Sequence, residues 1–149
     1  MHSYEAMRLA DDLVDLEIEA VDNIINTVKD DSDDTEFKLW SRIKETAIQG
    51  RRAGLGFTGL ADAIAMLGLK YDSDEGISQI EQLMKVMFKG QLDSNIDMAI
   101  ERGAFPAHYN SNEYDLGGDE YFNSWYEWLC ANYTKQAIKM DIHGRRNIS

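Results

Sequence analysis

Apolar residues recur at helical spacing along almost the whole chain. From about Tyr4 to Val28, the residues Met7, Val14, Ile18, Val21, Ile25 and Val28 fall three, four or seven positions apart, which places them on one helical face. Leu13, Leu16 and Ile24 widen that stripe, and Asp11, Asp12, Asp15, Glu19 and Asp22 read as a solvated acidic face. Asp33 with Glu36 three residues later marks a second helix start. That helix is predicted from about Asp34 to Gln49, with Phe37, Trp40, Ile43 and Ala47 inward and Gly50 as its stop. A short third helix should begin near Thr58, run through Ala61, Ile64, Ala65 and Leu67, and end at Gly68-Leu69. Asp72 or Ser73 caps a long fourth helix. Its inner face reads Ile77, Ile80, Met84, Met87 and Phe88, continues to Leu92, Ile96 and Ala99, and closes at Arg102-Gly103. Residues 104 to 118, with Pro106, Asn110, Ser111, Asn112, Gly117 and Gly118, read as an irregular stretch. A fifth helix is predicted from about Asp119 to Met140, burying Phe122, Trp125, Tyr126, Leu129, Tyr133, Ala137 and Met140, with Gly144 beyond it.

The fold class expected from this pattern is mainly α. About five helices carry residues 1 to 149 as a single helical segment, with at most two short strands, near 51 to 57 and 145 to 149. Composition agrees with a packed chain: 44% of the 149 residues are hydrophobic. Twenty-seven acidic residues against fifteen basic ones give a net charge of −12, which repels phosphate backbones and argues against nucleic acid as a partner. The single cysteine, Cys130, excludes an internal disulfide and fits a reducing compartment. No leader pattern and no apolar run of membrane-spanning length occurs, so a cytoplasmic chain without a membrane partner is expected.

Four patterns invite chemistry. Gly54-x-Gly56-x-x-Gly59 spells a dinucleotide fingerprint, and Asp72 follows at a tempting distance for a ribose contact. The fingerprint needs a buried strand before it. Thr46 to Ala53 holds one β-branched apolar residue and two arginines, so close backbone packing is the reading preferred for these glycines. Asp30, Asp31, Asp33 and Asp34 resemble the start of a calcium loop. Counted from Asp30, the glycine and glutamate that loop requires are Thr35 and Ser41; counted from Asp31, they are Glu36 and Arg42. A dinuclear carboxylate site wants Glu-x-x-His units, which His2, His108 and His143 do not provide. Cys130 has no neighbouring histidine in sequence and reads as a structural thiol. No residue is therefore assigned a catalytic, cofactor-binding or metal role. One repetition stands out: Gly-Arg-Arg follows a helix twice, at Gly50 to Arg52 and at Gly144 to Arg146.

Several stretches resemble the large (α) subunit of ribonucleotide reductase, in that family's order and near its spacing. They are Arg8 to Glu17, Gly50 to Asp62, Leu67 to Tyr71, Glu101 to Pro106 and Gly144 to Ser149. The similarity is greatest to bacterial forms, including those that use adenosylcobalamin. The resemblance implies a fragment of a ten-stranded α/β barrel, in an enzyme that reduces ribonucleotides to deoxyribonucleotides by radical chemistry. It also implies that the radical-cysteine finger loop lies before this segment and the phosphate loop after it, so the segment alone is expected to be inactive. No cofactor is expected in this chain, and the parent would use adenosylcobalamin or a metal-radical subunit. Expected partners are the remaining parts of the α chain, or further copies through self-association. A free-standing acidic helical interaction module is the alternative from a different class. Diphosphate and triphosphate substrates stay open between them.

Overall fold

The computed structural model describes residues 2–29, 34–110 and 119–147. Their helices are α1 (His2–Val28), α2 (Asp34–Gly50), α3 (Leu60–Met66), α4 (Asp74–Arg102), α5 (Ala107–Asn110), α6 (Asp119–Asn132) and α7 (Thr134–His143). The C-terminal half of α4 is the centre of the fold. It buries Leu92, Ser94, Asn95, Ile96, Met98 and Ala99 around most of its circumference, as a helix does when it has neighbours on several sides. Helix α1 packs along α4, and α2 packs on α1. At the crossing of α1 and α4, Gly90 is required for close approach, because a Cβ there would run into the Ser3 side chain and the Tyr4 backbone. Tyr4 hydroxyl donates to Asp97 at 3.1 Å and Arg8 pairs with Glu101 across the same crossing. Helix α7 covers another side of α4, and Leu92 and Ile96 of α4, Leu129 of α6 and Ala137 and Met140 of α7 form one apolar cluster. Phe88, Trp128 and Tyr133 close its edge, with ring centroids 5.3 to 5.7 Å apart.

The helix ends follow local chemistry. Ser73 caps α4, its Oγ accepting from Gly76 N at 3.1 Å. Gly68, at φ +73°, ends α3 while Leu69 N reaches back to Ile64 O, the paired-bond stop that the Gly68-Leu69 sequence predicts.

The expected fold class needs correction. Among the described residues no strand forms at 51 to 57, where Arg52 makes only an isolated bridge, or at 145 to 147, and there are seven helical segments rather than about five. Extended segments become strands only when another backbone pairs with them. Here side chains take much of that role: Asn95 Oδ1 accepts from Asn147 N at 2.8 Å, and Asn147 Nδ2 donates to Arg51 O at 3.1 Å. The two extra helical segments have separate causes. A single turn, α5, lies inside the stretch expected to be irregular. The predicted fifth helix breaks at Tyr133, which has φ −137°. On either side, Asn132 Nδ2 donates to Trp128 O and Thr134 Oγ1 to Cys130 O, at 2.8 and 2.7 Å. Such side-chain bonds compete with the helical ladder.

Burial also departs from the predicted stripes. Met7, Val14 and Val21 face inward on α1, but Leu13 and Leu16 are exposed. Ile77 and Met84, placed on the inner face of α4, are exposed as well, because the N-terminal half of α4 runs past the helices that cover its C-terminal half. The expected buried positions Phe122 and Trp125 lie outside the residues whose side chains are described.

Candidate functional site

The densest polar arrangement gathers on Asp11, which is fully buried on the inward face of α1. Oδ1 accepts from Arg51 Nη2 at 2.6 Å, Arg51 Nε at 3.1 Å and Asn147 Nδ2 at 2.9 Å. Oδ2 accepts from Arg102 Nη1 at 2.9 Å and Arg146 Nε at 3.2 Å. Two neighbours complete the set: Asp15 accepts from Arg51 and Asp12 from Arg102, both at 2.7 Å. Three carboxylates thus face three guanidiniums. Each arginine sits at a helix end punctuated by glycine: Gly50-Arg51, Arg102-Gly103 and Gly144-Arg145-Arg146. Arg51 itself takes φ +41°, an uncommon conformation for a residue with a Cβ. Arg146 also donates to the carbonyls of Arg102 and Gly103 at the end of α4. A positive side chain beside the last carbonyls of a helix complements its dipole.

Burial alone would raise the pKa of Asp11. Hydrogen bonds from Arg51 and Asn147 and the charges of Arg146 and Arg51 outweigh it, so the carboxyl is held below the usual range. For Arg51, burial opposes the charge, but the bonds to Asp15 and Asp11 raise its pKa further. The site is a closed ionic clasp, in which Asp11, Asp12 and Asp15 are paired with Arg51, Arg102 and Arg146.

The acidic face predicted on α1 is therefore only partly a solvated face. Asp12 and Asp15 are exposed, whereas Asp11 is buried among arginines. Oxygens of Asp11, Asp12 and Asp15 lie within 4.8 Å of one another. They already accept from Arg51 and Arg102, so a cation would have to displace those guanidiniums. Asp30, Asp31 and Asp33 lie outside the described residues.

The glycine fingerprint is not brought to any such site. A Cβ on Gly54 or Gly56 would meet nothing within 4 Å, which corrects the expectation of close backbone packing. Gly59 does need its freedom, at φ +82° as the residue before α3. Asp72 is exposed beside Lys70. Cys130 is half-buried against the α4–α7 cluster. Tyr126, one turn before it, donates to Asp141; that bond, with burial second, raises the tyrosine's pKa.

The sequence reading missed Asp11, although a signal was there. The inward series Met7, Val14, Ile18, Val21, Ile25 and Val28 steps by three and four, and position 11 is the one gap in it. The repeated Gly-Arg-Arg triplets were the other half of the signal.

A second feature lies between α1 and α2. It is a groove of ≈ 570 Å³ with Val14, Leu39, Ile43 and Ala47 on its walls. Arg42 and Arg52 also line it, with Glu17 and Thr46. Helix α2 buries only Gly50 completely, so the groove stays accessible.

No helix among the described residues is long and apolar enough to cross a membrane. The family profile "Ribonucleotide reductase, barrel domain" matches residues 5–148. The vitamin B12-dependent ribonucleoside-diphosphate reductase of Mycobacterium tuberculosis is 36% identical over 107 residues, covering 71% of this chain and 16% of the relative. The enzyme of the same name from Thermoplasma acidophilum is 34% identical over 83 residues, 56% of this chain and 11% of the relative. The ribonucleoside-diphosphate reductase large subunit of African swine fever virus is 29% identical over 90 residues, 60% and 11% respectively. The chain thus spans only a small part of the relatives it matches. No solved structure matches it. A match from residue 5 to residue 148 takes in α1, the glycine segment, α4 and the arginine-bearing helix ends, so the chain belongs to the ribonucleotide reductase barrel-domain family and corresponds to part of the large subunit.

Proposed function

We propose that this chain is a structural segment of a ribonucleoside-diphosphate reductase α chain, whose work is radical reduction of ribonucleotides to deoxyribonucleotides for DNA synthesis. On this reading the chain positions and covers the rest of the large subunit, and is inactive alone. One observation carries it. Helix α1 is apolar on two sides: Met7, Val14 and Val21 face inward, while Leu9, Leu13 and Leu16 form a second stripe with 56 to 61% exposure. A helix apolar on two sides is normally covered on two sides. The exposed Ile77, Leu83, Met84 and Val86 of α4 support the same reading. The partner is the remainder of the α chain, and the same faces drive self-association when it is absent. The charge of −12 opposes nucleic acid as a partner.

The named relatives point to adenosylcobalamin as the parent's cofactor. The residues described here do not fit it. A corrin with its nucleotide arm exceeds the ≈ 570 Å³ groove, and neither histidine nor cysteine lines that groove.

The test is complementation. The chain is co-expressed with the M. tuberculosis reductase from which the matching stretch has been removed. Co-elution of the two pieces is expected, with no turnover of a ribonucleoside diphosphate by the chain alone. A chain that stays a folded monomer in ultracentrifugation, binds no hydrophobic dye and ignores the truncated reductase would overturn the reading in favour of a free-standing acidic module.

A further inference from the structure

We propose that the groove between α1 and α2 receives an acidic amphipathic helix, with apolar side chains on its floor and carboxylates against Arg42 and Arg52. That the helix comes from the remainder of the reductase large chain rests on the function proposed above; the chemistry of the groove does not.

The chain has seven arginines in a background of twenty-seven acidic residues. Arg8 pairs with Glu101, and Arg51, Arg102 and Arg146 pair with Asp11. Arg145 lies over the Phe105 ring at 5.9 Å. Arg42 and Arg52 make no ion pair among the described residues, and both line the same groove. With so many carboxylates in the chain, leaving two guanidiniums open at one place keeps a local positive field on an otherwise negative molecule. Glu17 also lines the groove, so the local balance is two positive charges to one negative.

Between the charges the groove is apolar, through Val14, Leu39, Ile43 and Ala47. An apolar floor with charged margins is the surface an amphipathic helix recognises through residues at i, i+3, i+4 and i+7. Arginine forks favour carboxylates at those margins. A basic helix would meet two like charges and be rejected.

Two synthetic helical peptides test this. Both carry Leu at helical spacing; one has Glu at the flanking positions and the other has Lys. Fluorescence anisotropy against the full 149-residue chain should show the Glu peptide binding at least about tenfold tighter than the Lys peptide. The double variant Arg42→Glu/Arg52→Glu should lose that preference while keeping its helical circular dichroism. The milder pair Arg42→Gln/Arg52→Gln should reduce it and guards against a folding artefact. Absence of binding, equal binding of both peptides, or a preference that survives charge reversal overturns the proposal. Failed co-assembly with the truncated reductase beside intact peptide discrimination counts against the reductase reading alone. The reverse result counts against the groove alone.

Discussion

Asp11 holds two of its oxygens against three arginines and an asparagine in a place where water does not reach. Removing one partner of such a set leaves the others buried without compensation, at a cost of roughly 3 to 5 kcal/mol. Asp11→Asn is therefore expected to lower the urea midpoint strongly. Asp12→Asn and Asp15→Asn touch half-exposed carboxylates and should each cost less than about 1 kcal/mol. The pH dependence follows from the depressed pKa of Asp11. Its contribution is complete above the unfolded carboxyl value of about 3.9 and is lost as pH falls through the lower folded value. Wild-type stability should drop at that acid end, and Asp11→Asn should flatten the drop; urea titrations from neutral to acid pH measure both. Sequence alone makes Asp11 look like its neighbours Asp12 and Asp15, because all three are carboxylates within five residues of one helix. Its place in the three-and-four series was legible. Its partners, on helix ends far away in sequence, were not.

At the scale of elements, the glycines separate into those that geometry demands and those it does not. Gly144 ends α7 at φ +75°, and a Cβ there would lie 2.7 Å from Ala104 Cβ and from His108 Cδ2. Gly144→Ala should destabilise the chain by about 1 to 3 kcal/mol in thermal or urea unfolding. Gly54 has open space and no positive φ, so Gly54→Ala should be neutral or stabilising by up to about 1 kcal/mol. The long helices were legible because many turns of periodic pattern add up, and α1, α2 and α4 lie close to their predicted spans. The single turn α5 is too short to show a period. The break at Tyr133 was hidden because the apolar series runs through it, while the signal against a continuous helix lay in the polar flanks Asn132 and Thr134. The absent strands have a different cause: residues 145 to 147 carry no local mark that says whether side chains or another backbone will satisfy them.

At the scale of the molecule, the core around α4 coexists with apolar faces on α1 and on the N-terminal half of α4 that stay exposed among the described residues. Which helix faces remain open was not legible, because a stripe records that a face is apolar and not which neighbour hides it. The clasp has a further consequence, in time rather than in energy. Its bonds join Asp11 to partners 40, 91 and 135 residues away. Contacts that distant form after local helices have assembled, since the intervening loops must close first. Interactions made late weigh on the unfolding rate and little on the folding rate. Stopped-flow measurements on Asp11→Asn should show unfolding accelerated with refolding nearly unchanged. The clasp then acts as a latch on the finished fold, keeping it shut after it forms and contributing little to how fast it is found.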